Sequence, residues 1–227
     1  MARGLTGKHI TGNGSPTMPL SYNRIASQGP ERVAALTDGV FAFAMTVLVL
    51  DIRVPLPDAI HSEHDLRLAL FGLAPRLVMY LMSFLTLGIF WVGQQTQMSY
   101  LAQSDRNFAW IQVGFMASVV LVPFSTGLLA EFMGFRTALA VYWLNIVLLG
   151  GVLYASWRYA RHAGLLKPEA TPDIVCAIER RIVIAQSFYA LGALLAVVST
   201  YAAIAAIVLI QLNYAVAPRF RLRKRHA

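Results

Sequence analysis

Residues 31–52 read ERVAALTDGVFAFAMTVLVLDI, and between Val33 and Leu50 the one ionisable side chain is Asp38. A run of this length, apolar apart from that carboxylate, is what a bilayer core of roughly 20 residues per helix requires. A helix advances about 100° per residue. Leu36, Gly39, Phe43, Val47 and Leu50 then share one stripe, with Thr46 at its edge and Arg32 at its mouth. Asp38, Ala42, Met45 and Val49 form a second stripe, roughly a third of a turn away. A charge inside a span costs about 2.5–3.5 kcal/mol on insertion scales, so it faces protein or water and takes a partner. Near the helix N-terminus a carboxylate also meets the favourable end of the helix dipole. On periodicity alone, capping or packing is the plainer role for Asp38, and packing the plainer role for the apolar stripe.

The rest of the chain follows the same pattern. Of 227 residues, 57% are hydrophobic and 13% charged, more apolar surface than a soluble domain hides. The net charge of +8 does not indicate nucleic acid, because the basic residues flank apolar spans instead of forming one polar face. One cysteine, Cys176, excludes an intramolecular disulfide and a thiolate metal cluster. Residues 1–29, rich in Gly, Ser, Thr and Pro, read as a flexible tail without a signal-peptide core, and residues 218–227 as a basic cytoplasmic tail. Between them, residues 30–217 read as one transmembrane domain.

The reading is therefore an all-α, polytopic membrane protein with six transmembrane helices. The spans are expected at about 33–54, 66–95 with a kink at Pro75, 107–131 containing Pro123, 136–158, and a block at 182–217 cut near Ser199 and Thr200. With both termini cytoplasmic, 15 of the 19 Lys and Arg lie inside, and only Arg53, Arg67, Arg76 and Arg136 lie outside. That asymmetry fits the positive-inside rule. The basic C-terminus can also meet anionic lipid headgroups, though a stop-transfer flank is the plainer role.

The stretch RVAALTDGVFAFAMTVLVLDIRVP resembles the first helix of the prokaryotic transmembrane protein 175 family, bacterial relatives of the lysosomal potassium channel. That family's Arg-x-x-x-Phe-Ser-Asp motif falls on Arg32, Leu36, Thr37 and Asp38, with Leu for Phe and Thr for Ser. Further likeness lies in YLMSFLTLGIFWVGQQ, in RNFAW followed by LVPFSTGLL, and in the six-span layout. The family's Trp-x-x-His-His becomes Trp91, Val92, Gly93, Gln94 and Gln95. Two imidazoles are replaced by amides, which hydrogen-bond but do not titrate near neutral pH.

The resemblance implies a potassium-preferring cation channel without a TVGYG filter, a homotetramer whose first helices line a central pore. Carried over by position, the constriction is Phe43, Val47 and Leu50, with Thr46 one helical step away. Phe43 stands where an aliphatic residue is common. Four apolar side chains pinching a lumen make a dewetting barrier, and threonine oxygens stand in for lost hydration. Asp38 is expected in a buried polar knot with Arg32, Thr37, Trp91, Gln94, Gln95 and Asn107, which fixes the rotation of the pore helix. Monovalent cations, membrane lipid and further copies of the chain are the implied partners, and a bacterial plasma membrane the implied location. No cofactor is implied beyond the transported potassium.

Other features read more plainly. His61 and His64, in a polar loop with Glu63 and Asp65, are taken as solvated, not metal-binding. Ser125 and Thr126 are expected to satisfy backbone groups freed by Pro123. No nucleophile–base pair or phosphate-cradling loop supports an enzyme. A proton-coupled transporter using Asp38 and a non-conducting membrane scaffold remain the alternatives.

Overall fold

The computed structural model describes residues 29–216, so the expected tails at 1–29 and 218–227 lie outside the described residues apart from Gly29. Those residues are all helical in their regular structure: α1 Pro30–Val49, α2 Glu63–Gly72, α3 Ala74–Ser99, α4 Arg106–Glu131, α5 Arg136–His162, α6 Pro172–Leu194 and α7 Thr200–Val216. Five of them (α1, α3, α4, α5 and α6) are long and apolar enough to cross a membrane. The last, α7, is apolar but shorter, about 25 Å by its residue count.

Three boundaries differ from the sequence reading, each for a physical reason. The span expected at 66–95 is two helices. Leu73 closes α2, and Pro75 stands in the first turn of α3, where its missing N–H costs no helical hydrogen bond. Helix α2 is held at its start by Ser62, whose Oγ accepts from the Asp65 amide at 3.2 Å. Helix α6 begins at Pro172, ten residues before the expected 182. Its first turns carry Asp173, Glu179, Arg180 and Arg181, which lower hydropathy without opposing helix formation. Helix α1 stops at Val49, ahead of the prolines expected to end it. The break in the last apolar block does fall where α7 starts, at Thr200.

At one end of the bundle the α3–α4 turn and the α5–α6 loop are tied together. Gly164, at φ 67°, reverses the chain after α5. The loop then pairs Leu166 with Leu101, and the Lys167 amide donates to the Tyr100 carbonyl at 2.9 Å. Asp105 caps α4 through the Phe108 amide (2.8 Å) and accepts from the Tyr159 hydroxyl (2.6 Å). At the opposite end, Arg76 of α3 pairs with Glu131 of α4 at 2.7 Å, and Arg136 donates to the Val197 carbonyl at 2.9 Å.

The core lies between α3, α4 and α5, with α1 and α7 packed on its sides. Phe115, Leu87, Leu149 and Tyr142 are fully enclosed. Within it runs a chain of polar groups. Gln211 of α7 donates to Thr86 of α3 (2.6 Å), Thr86 bonds the Tyr142 hydroxyl of α5 (2.9 Å), and Ser83 bonds Thr126 of α4 (2.7 Å). Gln97 joins Ser156 and the Leu153 carbonyl in the same way. Such bonds hold helices together where lipid offers no alternative partner. The expected duty of Ser125 and Thr126 is not observed: both hydroxyls donate to the Val122 carbonyl, at 3.0 and 2.7 Å. Proline at 123 frees the carbonyl of Val119, but these side chains reach back only three or four residues.

Candidate pore-lining face and its anchor

Helix α1 buries Val33, Thr37, Phe41, Ala44 and Leu48 against α3 and α4. These positions recur every three or four residues and so form one face. Phe41 is 1% exposed, its ring 5.9 Å from that of Phe115. Roughly 130° around the helix lies the stripe read from the sequence. Leu36, Phe43 and Leu50 are 58%, 64% and 74% exposed on the subunit, with Gly39 and Thr46 exposed and Val47 half-buried among them. Phe43, Thr46 and Leu50, the last at the C-terminal cap, therefore stand on the side of α1 turned away from its own bundle, with Val47 at the edge of that side.

Thr46 adds a chemical detail. Its hydroxyl donates to the Phe43 carbonyl at 2.7 Å, so its one proton is committed to the helix backbone. The oxygen then offers lone pairs alone to whatever approaches that face. An acceptor-only oxygen beside apolar side chains is suited to a cation and not to an anion.

Asp38 stands on the neighbouring stripe and is held by α3. Its Oδ1 accepts from Trp91 Nε1 at 2.8 Å and from the Gln95 amide. Trp91 and Gln95 lie four residues apart, so one face of α3 carries both donors. The expected buried, seven-residue knot is in this structure a three-residue one, and it is not buried within the subunit. Asp38 and Trp91 are exposed and Gln95 half-buried, because the knot lies at the edge of the α1–α3 contact. The Thr37 hydroxyl, fully buried, turns back to the Val33 carbonyl at 2.8 Å. A residue next to Asp38 in sequence lies 100° from it on the helix, so the two cannot share partners easily. Among the described residues no side-chain hydrogen bond joins Arg32, Gln94 or Asn107 to Asp38. Gln94 is enclosed, with both amide atoms unpartnered among the described residues. Of the two adjacent amides, Gln95 alone reaches the carboxylate.

Two contacts had no counterpart in the sequence reading. Beyond the end of α1, the Asp51 carboxylate lies over Gly127 of α4, so close that a Cβ there would sit 3.1 Å from Oδ2. The polar chain through Thr86, Tyr142 and Gln211 was also unforeseen. Its signal is present as isolated polar residues inside otherwise apolar spans, of which Gln211 in α7 is the clearest. Among the described residues no group of three or more His, Cys, Asp or Glu is placed to hold a metal ion.

Residues 32–123, from α1 into α4, match the family model described as the endosomal/lysosomal potassium channel TMEM175. A protein of Streptomyces collinus named as a potassium channel is 35% identical over 188 residues, covering 81% of this chain and 90% of its own length. The crystal structure of a lysosomal potassium-selective channel TMEM175 homolog from Chamaesiphon minutus superposes with a TM-score of 0.71 at 27% identity. That match covers 83% of this chain and 97% of the other. The Gallus gallus protein named endosomal/lysosomal proton channel TMEM175 is 31% identical over 107 residues, only 21% of its length. With five bilayer-length helices and these bacterial relatives, the protein is an integral protein of a bacterial plasma membrane, and it belongs to the TMEM175 family.

Proposed function

We propose that the chain is the subunit of a homotetrameric, potassium-preferring cation channel. In this reading four copies of α1 surround the pore, and Phe43, Thr46, Val47 and Leu50 form the constriction. The six apolar segments, α7 included, cross the membrane with both termini in the cytoplasm, as the charge asymmetry favours. Residues 30–217 make up the channel domain, flanked by the two tails. The observation that carries the reading is the division of α1 into two faces. One packs on α3 and α4, and the other leaves Leu36, Phe43 and Leu50 without cover from their own subunit. The channel names of the Streptomyces and Chamaesiphon relatives support it.

Physically, an apolar ring excludes water until the helices separate, and conduction begins when the lumen wets. Thr46 oxygens then replace part of the lost hydration shell. Potassium holds its water less tightly than sodium, so weak ligands suffice to favour it. Asp38 acts as a positioning residue: tied to Trp91 and Gln95, it sets the angle at which Phe43 meets the lumen. Proton-coupled transport through Asp38 is the less favoured reading, because the carboxylate is engaged by α3 and stands off the exposed apolar stripe.

The test is potassium flux from proteoliposomes holding the purified protein, with and without imposed voltage, and with sodium for comparison. Passive flux that follows voltage and favours potassium is expected. Flux that needs a proton gradient would replace the reading with the transporter, and absence of flux from a verified tetramer would replace it with the scaffold.

A further inference from the structure

Two apolar clefts open from a common mouth on the flank of the bundle. One, about 270 Å³, runs between α3 and α6 over Ile89, Phe90, Gly93, Ile178 and Ile182. The other, about 860 Å³, runs between α1 and α3 over Phe41, Ala42, Met45, Phe84 and Gly88. Ile89 is the ridge between them, and both are lined by Arg181 of α6 and Tyr214 of α7. Arg181 has no ion pair among the described residues. The carboxylate on the wall of the larger cleft, Asp38, is already engaged by Trp91 and Gln95. Nearby Glu179 is paired with Arg161 at 3.3 Å. Asp173 and Arg180 stand on a separate outer hollow, about 510 Å³, that also touches Arg181 and Tyr214.

We infer that this mouth binds one anionic diacyl phospholipid, its phosphate on Arg181 and the Tyr214 hydroxyl and an acyl chain in each cleft. Arg181 stands at the cytoplasmic edge of the apolar part of α6, the depth of lipid headgroups, and its planar fork fits a phosphate through two parallel hydrogen bonds. One headgroup with two tails matches one mouth with two clefts. A second copy of the chain is the competing occupant, and it does not by itself supply the pairing of one anion with two apolar tails. In sequence, Arg219, Arg221, Arg223, Lys224 and Arg225 follow within eleven residues of Tyr214. A basic run of this kind in a sequence favours membranes rich in anionic lipid.

The test uses the full-length protein in detergent, with phosphatidylglycerol or phosphatidylcholine added, read by native mass spectrometry and by thermal unfolding. Phosphatidylglycerol is expected to bind about tenfold better, Arg181→Gln to erase that preference, and Arg180→Gln to keep it. Gly88→Leu fills the larger cleft, where a Cβ at Gly88 meets no atom within 4 Å, and should lower lipid occupancy with Arg181 intact. Glycerol 3-phosphate, a headgroup without tails, should leave the unfolding temperature unchanged. Equal binding of the two lipids overturns the assignment, as does wild-type lipid retention by Arg181→Gln. Loss of the oligomer in Arg181→Gln with lipid still bound assigns the mouth to a neighbouring subunit instead.

Discussion

Phe41 and Phe43 are two residues apart on one helix and are predicted to respond oppositely to the same substitution. Phe41→Ala removes a ring that is 1% exposed and packed on Phe115. In lipid the water-transfer part of the loss falls away, because separated helices are also surrounded by apolar matter. What remains is the cavity: roughly 100 Å³ at about 24 cal/mol per Å³ is about 2 kcal/mol. For a chain of this size that lowers the unfolding temperature by about 4–8 °C. Phe43 is 64% exposed on its subunit, so Phe43→Ala should cost less than about 0.5 kcal/mol of subunit stability. It takes a ring from the dewetting barrier instead, and each 1.4 kcal/mol or so removed from that barrier raises flux about tenfold. The assay is potassium flux from proteoliposomes, paired with thermal unfolding of the same preparations in detergent. Higher flux from Phe41→Ala at unchanged stability, or a destabilised Phe43→Ala with unchanged flux, would refute the division of α1 into a packing face and a pore face.

Three further outcomes are predicted. Trp91→Phe keeps the ring but removes the donor to Asp38 at 2.8 Å; stability should fall by about 1 kcal/mol, and an unchanged unfolding temperature would leave Gln95 as the effective anchor. Thr46→Val preserves shape and deletes the acceptor oxygen, so the potassium-to-sodium flux ratio should drop towards unity at unchanged tetramer yield. A ratio that does not move would take the hydroxyl out of ion recognition. Gly150→Ala places a methyl inside the Gln186 side chain, which lies across Gly150 and donates to the Ile146 carbonyl at 3.2 Å. It should destabilise by about 1–3 kcal/mol, and Gln186→Ala in the same chain should restore most of the loss; failure of that rescue would show the α5–α6 contact to be governed elsewhere.

The two faces of α1 were legible in the sequence because helical geometry assigns directions to side chains without reference to neighbours. Leu36, Phe43 and Leu50 had to share a direction, whatever lay beyond them. Asp38 was legible as a residue needing a partner, since bare charge is costly in a span. Which side chain answers it was not. Gln94 and Gln95 are chemically identical, and only the rotation of α3 against α1 presents Gln95 to the carboxylate and encloses Gln94. Thr37 shows the same limit, because its own backbone offered a nearer acceptor than any other helix. The start of α6 was missed for a different reason. Hydropathy detects where lipid begins, whereas helix α6 extends nearly three turns further through charged residues that suit a helix equally well.

The polar chain in the core bears on how the protein is made. Thr86, Tyr142 and Thr126 are carried by helices that leave the ribosome earlier, whereas Gln211 belongs to the last of the described helices. Helices entering the bilayer in order bring hydroxyls into hydrocarbon before the amide that completes their bonding exists. Membrane insertion and closure of this polar chain are thus separate events in time, and the second waits for the seventeen-residue α7. A chain released before Gln211 is an inserted protein with an open seam, its Thr86 and Tyr142 hydroxyls bonded to each other and to the Met82 carbonyl but not yet to α7.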